Sequence, residues 1–229
     1  MSRRPTVYLF DVDGTLIVTG GAGRRAMRRA FQEVVGHPDA LEGIRLGGMT
    51  DRLILRHGLE VVGREFEEPL VEALLERYLD HLDAELARAD GYRVLDGVPA
   101  ALDFVEGLAN VAIGLGTGNI ERGARAKLRR GSLEHRFAFG GFGCDAEDRV
   151  ALLRAGAERG AALLDRGLGE VRVVVVGDTP RDIAAAEGLG AEIVAVATGG
   201  FDAATLREAG AAEVYSRLDT PAALEALAG

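Results

Sequence analysis

The 229-residue sequence has one cysteine, one lysine and no long uninterrupted apolar run. A single cysteine, Cys144, excludes an internal disulfide, and we expect it to be an ordinary packed or surface thiol in a reducing compartment. The apolar stretch near the start is interrupted by Asp11, so it fits neither a signal peptide nor a membrane span. We therefore expect a cytoplasmic protein with no membrane partner.

Positive charge is also scarce. The chain has 36 acidic residues against 27 basic ones, for a formal net charge of −9. This balance argues against a protein that coats nucleic acid. The apolar content of 48% and the charged content of 28% are those of a soluble globular protein. The length suits one large domain or one domain with a smaller insertion.

All but one of the 27 basic residues other than histidine are arginine, and the exception is Lys127. The Ala- and Gly-rich composition indicates a background drift that has replaced lysine by arginine wherever either serves. A lysine that survives this drift indicates a position where a compact ammonium is needed and a planar guanidinium does not substitute for it.

Four segments indicate buried strands: "TVYLF" before Asp11, "VAIGLGTGN" from Val111, "VRVVVVGDTP" from Val171 and "AEIVAVATGG" from Ala191. Continuous rather than alternating apolar runs are typical of parallel strands covered on both faces. Helical patterns lie between or after them, over residues 98–108, 121–130, 149–159, 181–189 and 203–209. This alternation predicts an α/β fold with a doubly wound parallel sheet, whose ligands bind beyond the carboxyl ends of the strands.

Residues 17–92 interrupt this alternation. They show helical spacing with no strand-like run, and the strand and helix rhythm resumes at "YRVLDGVPAALDFVEGL". We therefore predict an all-helical insertion over residues 17–92, packed as a small bundle and hinged at both crossings. The core domain then comprises residues 1–16 and 93–229.

Acidic and hydroxyl side chains follow three of the predicted strands. Asp11 and Asp13 in "VYLFDVDGTL" share a face of extended chain, where two like charges raise each other's energy unless a cation or a reaction needs them. An Asx-type turn is the alternative for this pair. Thr117 follows the second strand, and "GDTPRDI" places Asp178 and Asp182 after the third. The strand ends of a doubly wound sheet bring such residues together.

The motifs "DVDGTL", "GLGTGN" and "GDTPRDI", in this order and each at a strand end, resemble those of the haloacid dehalogenase (HAD) superfamily of aspartate-nucleophile phosphohydrolases. The resemblance spans nearly the whole chain and implies a Rossmann-like core. The helical insertion resembles the C1-type cap of that superfamily. The first and last motifs together are a specific pair, whereas either one alone is a weak signal.

The resemblance implies that Asp11 attacks phosphorus and forms an aspartyl-phosphate, while Asp13 acts as general acid and base. A hard divalent cation held by carboxylates offsets the repulsion between phosphate and nucleophile. Asp11, the main-chain carbonyl of Asp13 and Asp178 are the expected ligands, with Asp182 acting through water. Because few protein oxygens are on offer, we expect Mg²⁺ rather than Ca²⁺.

The phosphoryl oxygens need donors and a cation. Thr117 and the N–H groups of Gly118 and Asn119 are the candidate donors, although "GLGTGN" alone also fits a Gly-rich turn with a capping threonine. Arg149 in "EDRVALL" has the position of the superfamily's cation, but the lysine–proline pair often found there is absent. Because Lys127 is unique, we expect it to bind the nucleophile and the phosphoryl group, with Arg149 assisting or forming a structural ion pair.

The cap offers few substrate clues. Thr50 and Arg52 in the Gly-rich stretch "GGMTDR" are candidates for substrate contact, with Thr50 also a candidate N-cap. Simple capping and a solvated arginine are the alternatives. We expect a small phosphorylated metabolite as substrate, no nucleic-acid partner, and a monomer or homodimer.

These features predict a Mg²⁺-dependent phosphatase. A phosphomutase of the β-phosphoglucomutase type shares the first motif and is the main alternative. A dehalogenase is disfavoured because its chemistry needs no acid at the position of Asp13. A response-regulator-like signalling module that only accepts phosphate is a remote alternative, because its phosphorylated residue follows the third strand and the helical insertion has no counterpart there.

Overall fold

The computed structural model describes residues 4–229, which form an α/β fold. The strands are β1 Thr6–Phe10, β2 Ile17–Thr19, β3 Tyr92–Val94, β4 Val111–Thr117, β5 Phe139–Phe142, β6 Arg172–Gly177, β7 Glu192–Val196 and β8 Val214–Tyr215. The α-helices are α1 Ala22–Val35, α2 Asp51–Val61, α3 Glu68–Ala87, α4 Val98–Glu106, α5 Glu121–Arg130, α6 Arg149–Leu163, α7 Pro180–Leu189, α8 Ala203–Glu208 and α9 Pro221–Ala228.

The main sheet of the described range has six strands in the order β5-β4-β1-β6-β7-β8, and every neighbouring pair is parallel. Strand β1 lies between β4 and β6, with Phe10 paired to Leu115 and Val176. The carboxyl ends of these three strands therefore lie side by side. The predicted doubly wound parallel sheet is confirmed.

Both faces of the sheet are buried, which explains the continuous apolar runs. Along β1, Tyr8 and Phe10 pack on one face with α4, α5 and α9, whereas Val7 and Leu9 pack on the other with α6 and α7. All four side chains are fully buried. Since successive side chains of a strand alternate between faces, a strand covered on both sides must be apolar throughout.

Helices α1, α2 and α3 form a second apolar cluster over the segment predicted as the cap. Its largest buried side chains include Phe31, Leu55, Leu74 and Tyr78, and Ile120 of the core packs against the same cluster. Helix α1 packs along α3. The apolar stripe of each helix is thus buried within the insertion, on the side that faces the carboxyl ends of the sheet.

Two features differ from the sequence prediction. Strands β2 and β3 pair antiparallel at the two crossings, with Ile17 opposite Val94, so the insertion is not wholly helical. Strand β5 was not predicted, because "FGGF" is short and half glycine. The boundaries at residues 17 and 92 stay a prediction. No helix within residues 4–229 has the length and apolar character needed to cross a membrane.

Candidate active site

Strand β1 delivers the first acidic pair to the centre of the sheet edge. The N–H of Asp11 donates to the carbonyl of Val176 at 2.9 Å, so Asp11 is still held by the neighbouring strand β6. Asp11 is buried, whereas the side chain of Asp13 is 40% exposed. The chain then turns at Gly14 with φ of +90°, a conformation that favours glycine. The two carboxylates therefore lie at one spot with different access to solvent.

Three buried carboxylates lie close together near the carboxyl ends of β1 and β6. Oxygens of Asp11, Asp178 and Asp182 lie within 4.8 Å of one another. Burial, together with the nearby charges of Asp11 and Asp182, raises the pKa of Asp178 to about 8. Burial also raises the pKa of Asp11 to about 6, against the opposing effect of Arg149. Such a cluster is unfavourable when fully ionised, and a cation lowers its energy.

The donor set fits a hard divalent cation. Carboxylate and carbonyl oxygens are the ligands that Mg²⁺ takes in proteins. A Cβ on Gly14 would lie 2.3 Å from Asp178 Oδ2, and one on Gly199 would lie 1.7 Å from it. Two glycines thus leave free the space around this oxygen that side chains would fill. Asp11 and Asp178, with the main-chain carbonyl of Asp13, are the residues that could hold the ion.

Asp182 is less available as a ligand, because both its oxygens already accept hydrogen bonds. Arg149 donates to Oδ1 through Nη2 and, at 2.9 Å, through Nε, and Thr179 donates to Oδ2 from its N–H at 3.0 Å and its hydroxyl at 2.8 Å. Thr179 and Asp182 form the capping box of α7. The spacing of Thr179 and Asp182 in "GDTPRDI" therefore serves local helix capping as well as a candidate metal motif.

Arg149 is the cation beside Asp11. Its Nη2 lies 3.3 Å from Asp11 Oδ1, and its Nη1 donates to the carbonyl of Gly48 in the insertion at 3.1 Å. Burial alone lowers the pKa of Arg149, but Asp182 and Asp11 raise it above its ordinary value. The guanidinium stays charged and contacts Asp11, Asp182 of α7 and the loop of residues 36–50 between α1 and α2, called the cap loop below.

Lys127 lies elsewhere than expected. Its Nζ is 2.6 Å from Asp13 Oδ2, and it also donates to Asn119 Oδ1 and to the hydroxyl of Tyr78. Burial lowers its pKa, but Asp13, Tyr78 and Asp51 together raise it above the ordinary value. The expectation was that Lys127 binds both Asp11 and the phosphoryl group. In the structure Arg149 is the cation beside Asp11, because helix α5 brings Lys127 to Asp13.

The loop after β4 brings Thr117, Gly118 and Asn119 to the same spot. The amide Nδ2 of Asn119 donates to Thr117 Oγ1 at 2.8 Å and to Asp13 Oδ2 at 2.9 Å, and its N–H also reaches Thr117 Oγ1. A Cβ on Gly118 would lie 2.4 Å from the carbonyl of Met49, so glycine permits close contact with the cap loop. The hydroxyl of Thr117 is thus held in place.

A cavity of about 320 Å³ lies between the sheet edge and the insertion. Its volume is at the lower end of the range for ligand pockets, about 300–1,000 Å³, which favours a small ligand. The core contributes Asp11, Asp13, Thr117, Gly118, Asn119, Lys127 and Arg149 to the lining. The insertion contributes Arg24, Met27, Met49, Asp51, Ile54 and Tyr78, among others. The predicted catalytic and phosphate-binding residues therefore converge on one cavity.

Thr50 and Arg52 do not line this cavity. Thr50 Oγ1 accepts from the N–H of Leu53 at 3.2 Å and caps α2. Arg52 pairs with Glu68 at 2.6 Å and lies 3.6 Å from Glu147. Consecutive residues of a helix do not face the same way, so the orientation that presents one residue to the cavity turns the next away. The residue between them, Asp51, lines the cavity instead.

Asp51 and Tyr78 are the residues that the sequence analysis missed. Asp51 is 5% exposed, its Oδ2 accepts from the N–H of Ile120 at 2.9 Å, and its own N–H donates to the carbonyl of Gly118 at 2.8 Å. For Asp51, the N-cap position of Thr50 was an available signal, since it fixes the phase of α2. For Tyr78 no such signal existed, because α3 carries many apolar positions with the same spacing.

Known structures share the fold of this chain. A search of curated proteins returned no match. Solved structures match at low identity: CbbY from Rhodobacter sphaeroides in complex with phosphate has 17% identity and a TM-score of 0.70, over 96% of this chain and 99% of that one. A predicted phosphoglycolate phosphatase from Haemophilus somnus 129pt has 15% identity and a TM-score of 0.65, over 96% of both chains. These structures share the fold.

A third similar structure, a putative β-phosphoglucomutase from Thermotoga maritima, has 24% identity and a TM-score of 0.60, over 96% of this chain and 95% of that one. Residues 5–190 match the family described as haloacid dehalogenase-like hydrolase. The matched segment contains β1 and the ends of β4 and β6, with their acidic and hydroxyl side chains. The expected superfamily and the expectation of a hydrolytic enzyme are confirmed: the chain belongs to the haloacid dehalogenase-like hydrolase family.

Proposed function

We propose that this protein is a Mg²⁺-dependent phosphatase that hydrolyses a small phosphomonoester through an aspartyl-phosphate on Asp11. The observation that carries the proposal is the juxtaposition at the cavity floor. There Asp11, with Arg149 at 3.3 Å, lies beside Asp13, with Lys127 at 2.6 Å, and both acids line the same cavity. One carboxylate is buried and the other is partly exposed, which suits a nucleophile and a proton carrier respectively.

In the first step, a carboxylate oxygen of Asp11 attacks phosphorus. The new bond is the Asp11 O–P bond, and the P–O bond to the organic group breaks with its electron pair on the leaving oxygen. Arg149 neutralises charge beside the attacking carboxylate and holds it in position. Thr117, with the N–H groups of Gly118 and Asn119, is proposed to donate to the phosphoryl oxygens that face the β4 loop.

Asp13 moves the protons. Lys127 and the amide of Asn119 both bind Oδ2 of Asp13, and we assign proton transfer to its Oδ1. Asp13 gives a proton to the leaving oxygen in the first step and takes one from water in the second. The resulting hydroxide attacks phosphorus, the Asp11 O–P bond breaks, and inorganic phosphate leaves with the Asp11 carboxylate restored.

Asp11, Asp178 and the main-chain carbonyl of Asp13 are the groups proposed to hold Mg²⁺, with Asp182 in support. When bound, the ion would neutralise phosphoryl oxygens and the surrounding carboxylates. The support for this assignment is the raised pKa of Asp11 and Asp178 and the space that glycines leave beside Asp178.

A phosphate-release screen over a panel of phosphomonoesters tests the proposal. We expect turnover with Mg²⁺ and its loss with EDTA or in an Asp11→Asn variant. Activity that survives either treatment would contradict the mechanism. Adding a sugar bisphosphate separates hydrolysis from a phosphomutase: a phosphatase releases phosphate without it, whereas a mutase needs it to return product. A cytoplasmic location and a monomeric or homodimeric state stay predictions.

A further inference from the structure

The insertion contributes a carboxylate to the cavity wall, whereas the core contributes the residues of the proposed reaction. Asp51 begins α2, lines the cavity and is 5% exposed. Around it, the cap contributes the apolar side chains Met27, Met49 and Ile54 and the hydroxyl of Tyr78. The organic part of a substrate whose phosphoryl group lies on Asp11 therefore faces an acid in an otherwise largely apolar wall.

The cations of the cavity lining already have partners. Arg24 donates from Nη1 to the carbonyl of Leu41 at 2.8 Å and from Nη2 to the carbonyl of Ile44 at 2.6 Å, so its guanidinium holds the cap loop. Lys127 is held by Asp13 and its neighbours, as described above. Among residues 4–229, the remaining cation of the lining is Arg149, which is bound to Asp182 and lies beside Asp11.

The charge of Asp51 is placed to act on the substrate. Burial raises the pKa of Asp51 to about 6, Lys127 and the N–H of Ile120 oppose this rise, and Asp13 adds to it. At pH 7.5 the carboxylate is therefore ionised. A second anionic group on the substrate would meet this charge in a buried setting where like charges interact strongly. A hydroxyl or ammonium group would instead donate to it.

We infer that Asp51 selects phosphomonoesters whose organic part carries hydroxyl or ammonium groups and no second anionic group. This substrate class rests on the proposed function. Phosphorylated carboxylic acids and bisphosphates are disfavoured, because their second anionic group would lie in the cavity that the Asp51 carboxylate lines. The cavity volume of about 320 Å³ favours a small organic part.

Three compounds of similar size test the inference at pH 7.5 with Mg²⁺: glycerol 3-phosphate, which is neutral apart from its phosphate, O-phosphoethanolamine, which adds an ammonium, and 2-phosphoglycolate, which adds a carboxylate. We expect kcat/KM for the first two to exceed that for 2-phosphoglycolate by about tenfold or more. Equal or better turnover of 2-phosphoglycolate by the unmodified protein would overturn the inference, whatever any variant does.

The variant Asp51→Asn removes the charge but keeps an oxygen for the N–H of Ile120. We expect it to improve turnover of 2-phosphoglycolate, to weaken that of O-phosphoethanolamine, and so to bring their ratio towards one. Asp83→Asn removes an exposed cap carboxylate outside the cavity and should leave the ratio unchanged. A ratio unchanged by Asp51→Asn would show that Asp51 only fastens α2 to the core, and would overturn the inference.

Failure of the proposed function has a different signature. Absence of phosphate release from every compound, including p-nitrophenyl phosphate, would contradict the phosphatase proposal itself. The same three compounds titrated calorimetrically into the Asp11→Asn variant then rank the charge preference by binding. Tighter binding of 2-phosphoglycolate than of the other two would overturn the role of Asp51, and weaker binding would support it.

Discussion

Lys127 is paired with Asp13, not with Asp11. Its ammonium lies 2.6 Å from Asp13 Oδ2, and Arg149 approaches Asp11 at 3.3 Å. The two buried cations of the cavity thus serve different acids. Lys127 orients the proposed proton carrier, and Arg149 accompanies the proposed nucleophile. This division makes separate predictions for the two cations.

Replacing Lys127 with Met removes the group that fixes Asp13 Oδ2. We expect kcat to fall about 10- to 100-fold with a smaller change in KM, because general acid–base catalysis of about 10²–10⁴ is weakened but not abolished. Lys127→Arg should not restore activity, because a planar guanidinium does not fit where the compact ammonium contacts Asp13, Asn119 and Tyr78. Full activity of Lys127→Met would contradict this role.

Replacing Arg149 with Met should cost stability as well as activity. The change leaves Asp182, which is fully buried, and Asp11 without their cation. Breaking such a pair by removing one partner destabilises a protein by about 3–5 kcal/mol, which urea unfolding measures.

Arg129→Met is the matched control for Arg149→Met. Arg129 is 62% exposed and pairs with Glu134 at 2.8 Å. Exposed ion pairs contribute about 0–1 kcal/mol, so the control should change the free energy of unfolding little. An equal change in the free energy of unfolding in both variants would show that the ion pairs of Arg149 stabilise the fold no more than an exposed pair does.

The Asp51→Asn variant should be more stable than the unmodified protein at neutral pH. Burial raises the pKa of Asp51 from 3.8 to about 6, with Lys127, Asp13 and Tyr78 as its charged or titratable neighbours. The unfolded chain ionises more readily than the folded one, so Asp51 lowers stability as pH rises through this interval. This rise in pKa corresponds to a loss of at most about 3 kcal/mol in the free energy of unfolding.

The size of this effect depends on pH. The stability advantage of Asp51→Asn should be largest above pH 6, should shrink between pH 6 and pH 4, and should vanish only below the ordinary pKa of 3.8, where Asp51 is protonated in both states. Urea unfolding of both proteins at pH 4, 5, 6 and 7.5 measures the gap. An advantage that is the same at all four values would mean that the ionisation of Asp51 is not its cause.

Mg²⁺ should stabilise the folded protein if Asp11 and Asp178 hold it. A ligand at 100 times its Kd adds about 2.7 kcal/mol, which for a domain of this size raises Tm by about 5–10 °C. Asp178→Asn should lose this response, and Asp83→Asn should keep it. An Mg²⁺ response that persists in Asp178→Asn would place the ion elsewhere.

The sheet was predictable because its strands are buried on both faces. Continuous apolar runs marked β1, β4, β6 and β7, and the acidic or hydroxyl residues at the ends of β1, β4 and β6 marked the site. Strand β5 escaped prediction, since its glycines remove the β-branched and apolar signal. Helix α5 was predicted over its full extent, Glu121–Arg130, but its approach to the site was not.

The cap contacts were less predictable than the core. The convergence of Asp11, Thr117 and Asp178 follows from strand order, which the sequence pattern carries. The contact between Lys127 and Asp13 depends on the angle at which a helix packs, and no local spacing encodes that angle. The choice of Asp51 over its neighbours depends on where α2 starts, a single-residue difference that fixes which side chain faces the cavity.

The central claim is that Asp11 carries the phosphoryl group, and trapping that group is its most direct test. The protein is mixed with Mg²⁺ and a phosphomonoester that it hydrolyses, and the reaction is quenched in acid. Borohydride then reduces an acyl phosphate on aspartate to homoserine. We predict homoserine at position 11 by peptide mass spectrometry, dependent on substrate and absent from Asp11→Asn. A phosphoryl group on any other residue, or turnover by Asp11→Asn at the normal rate, would contradict the account.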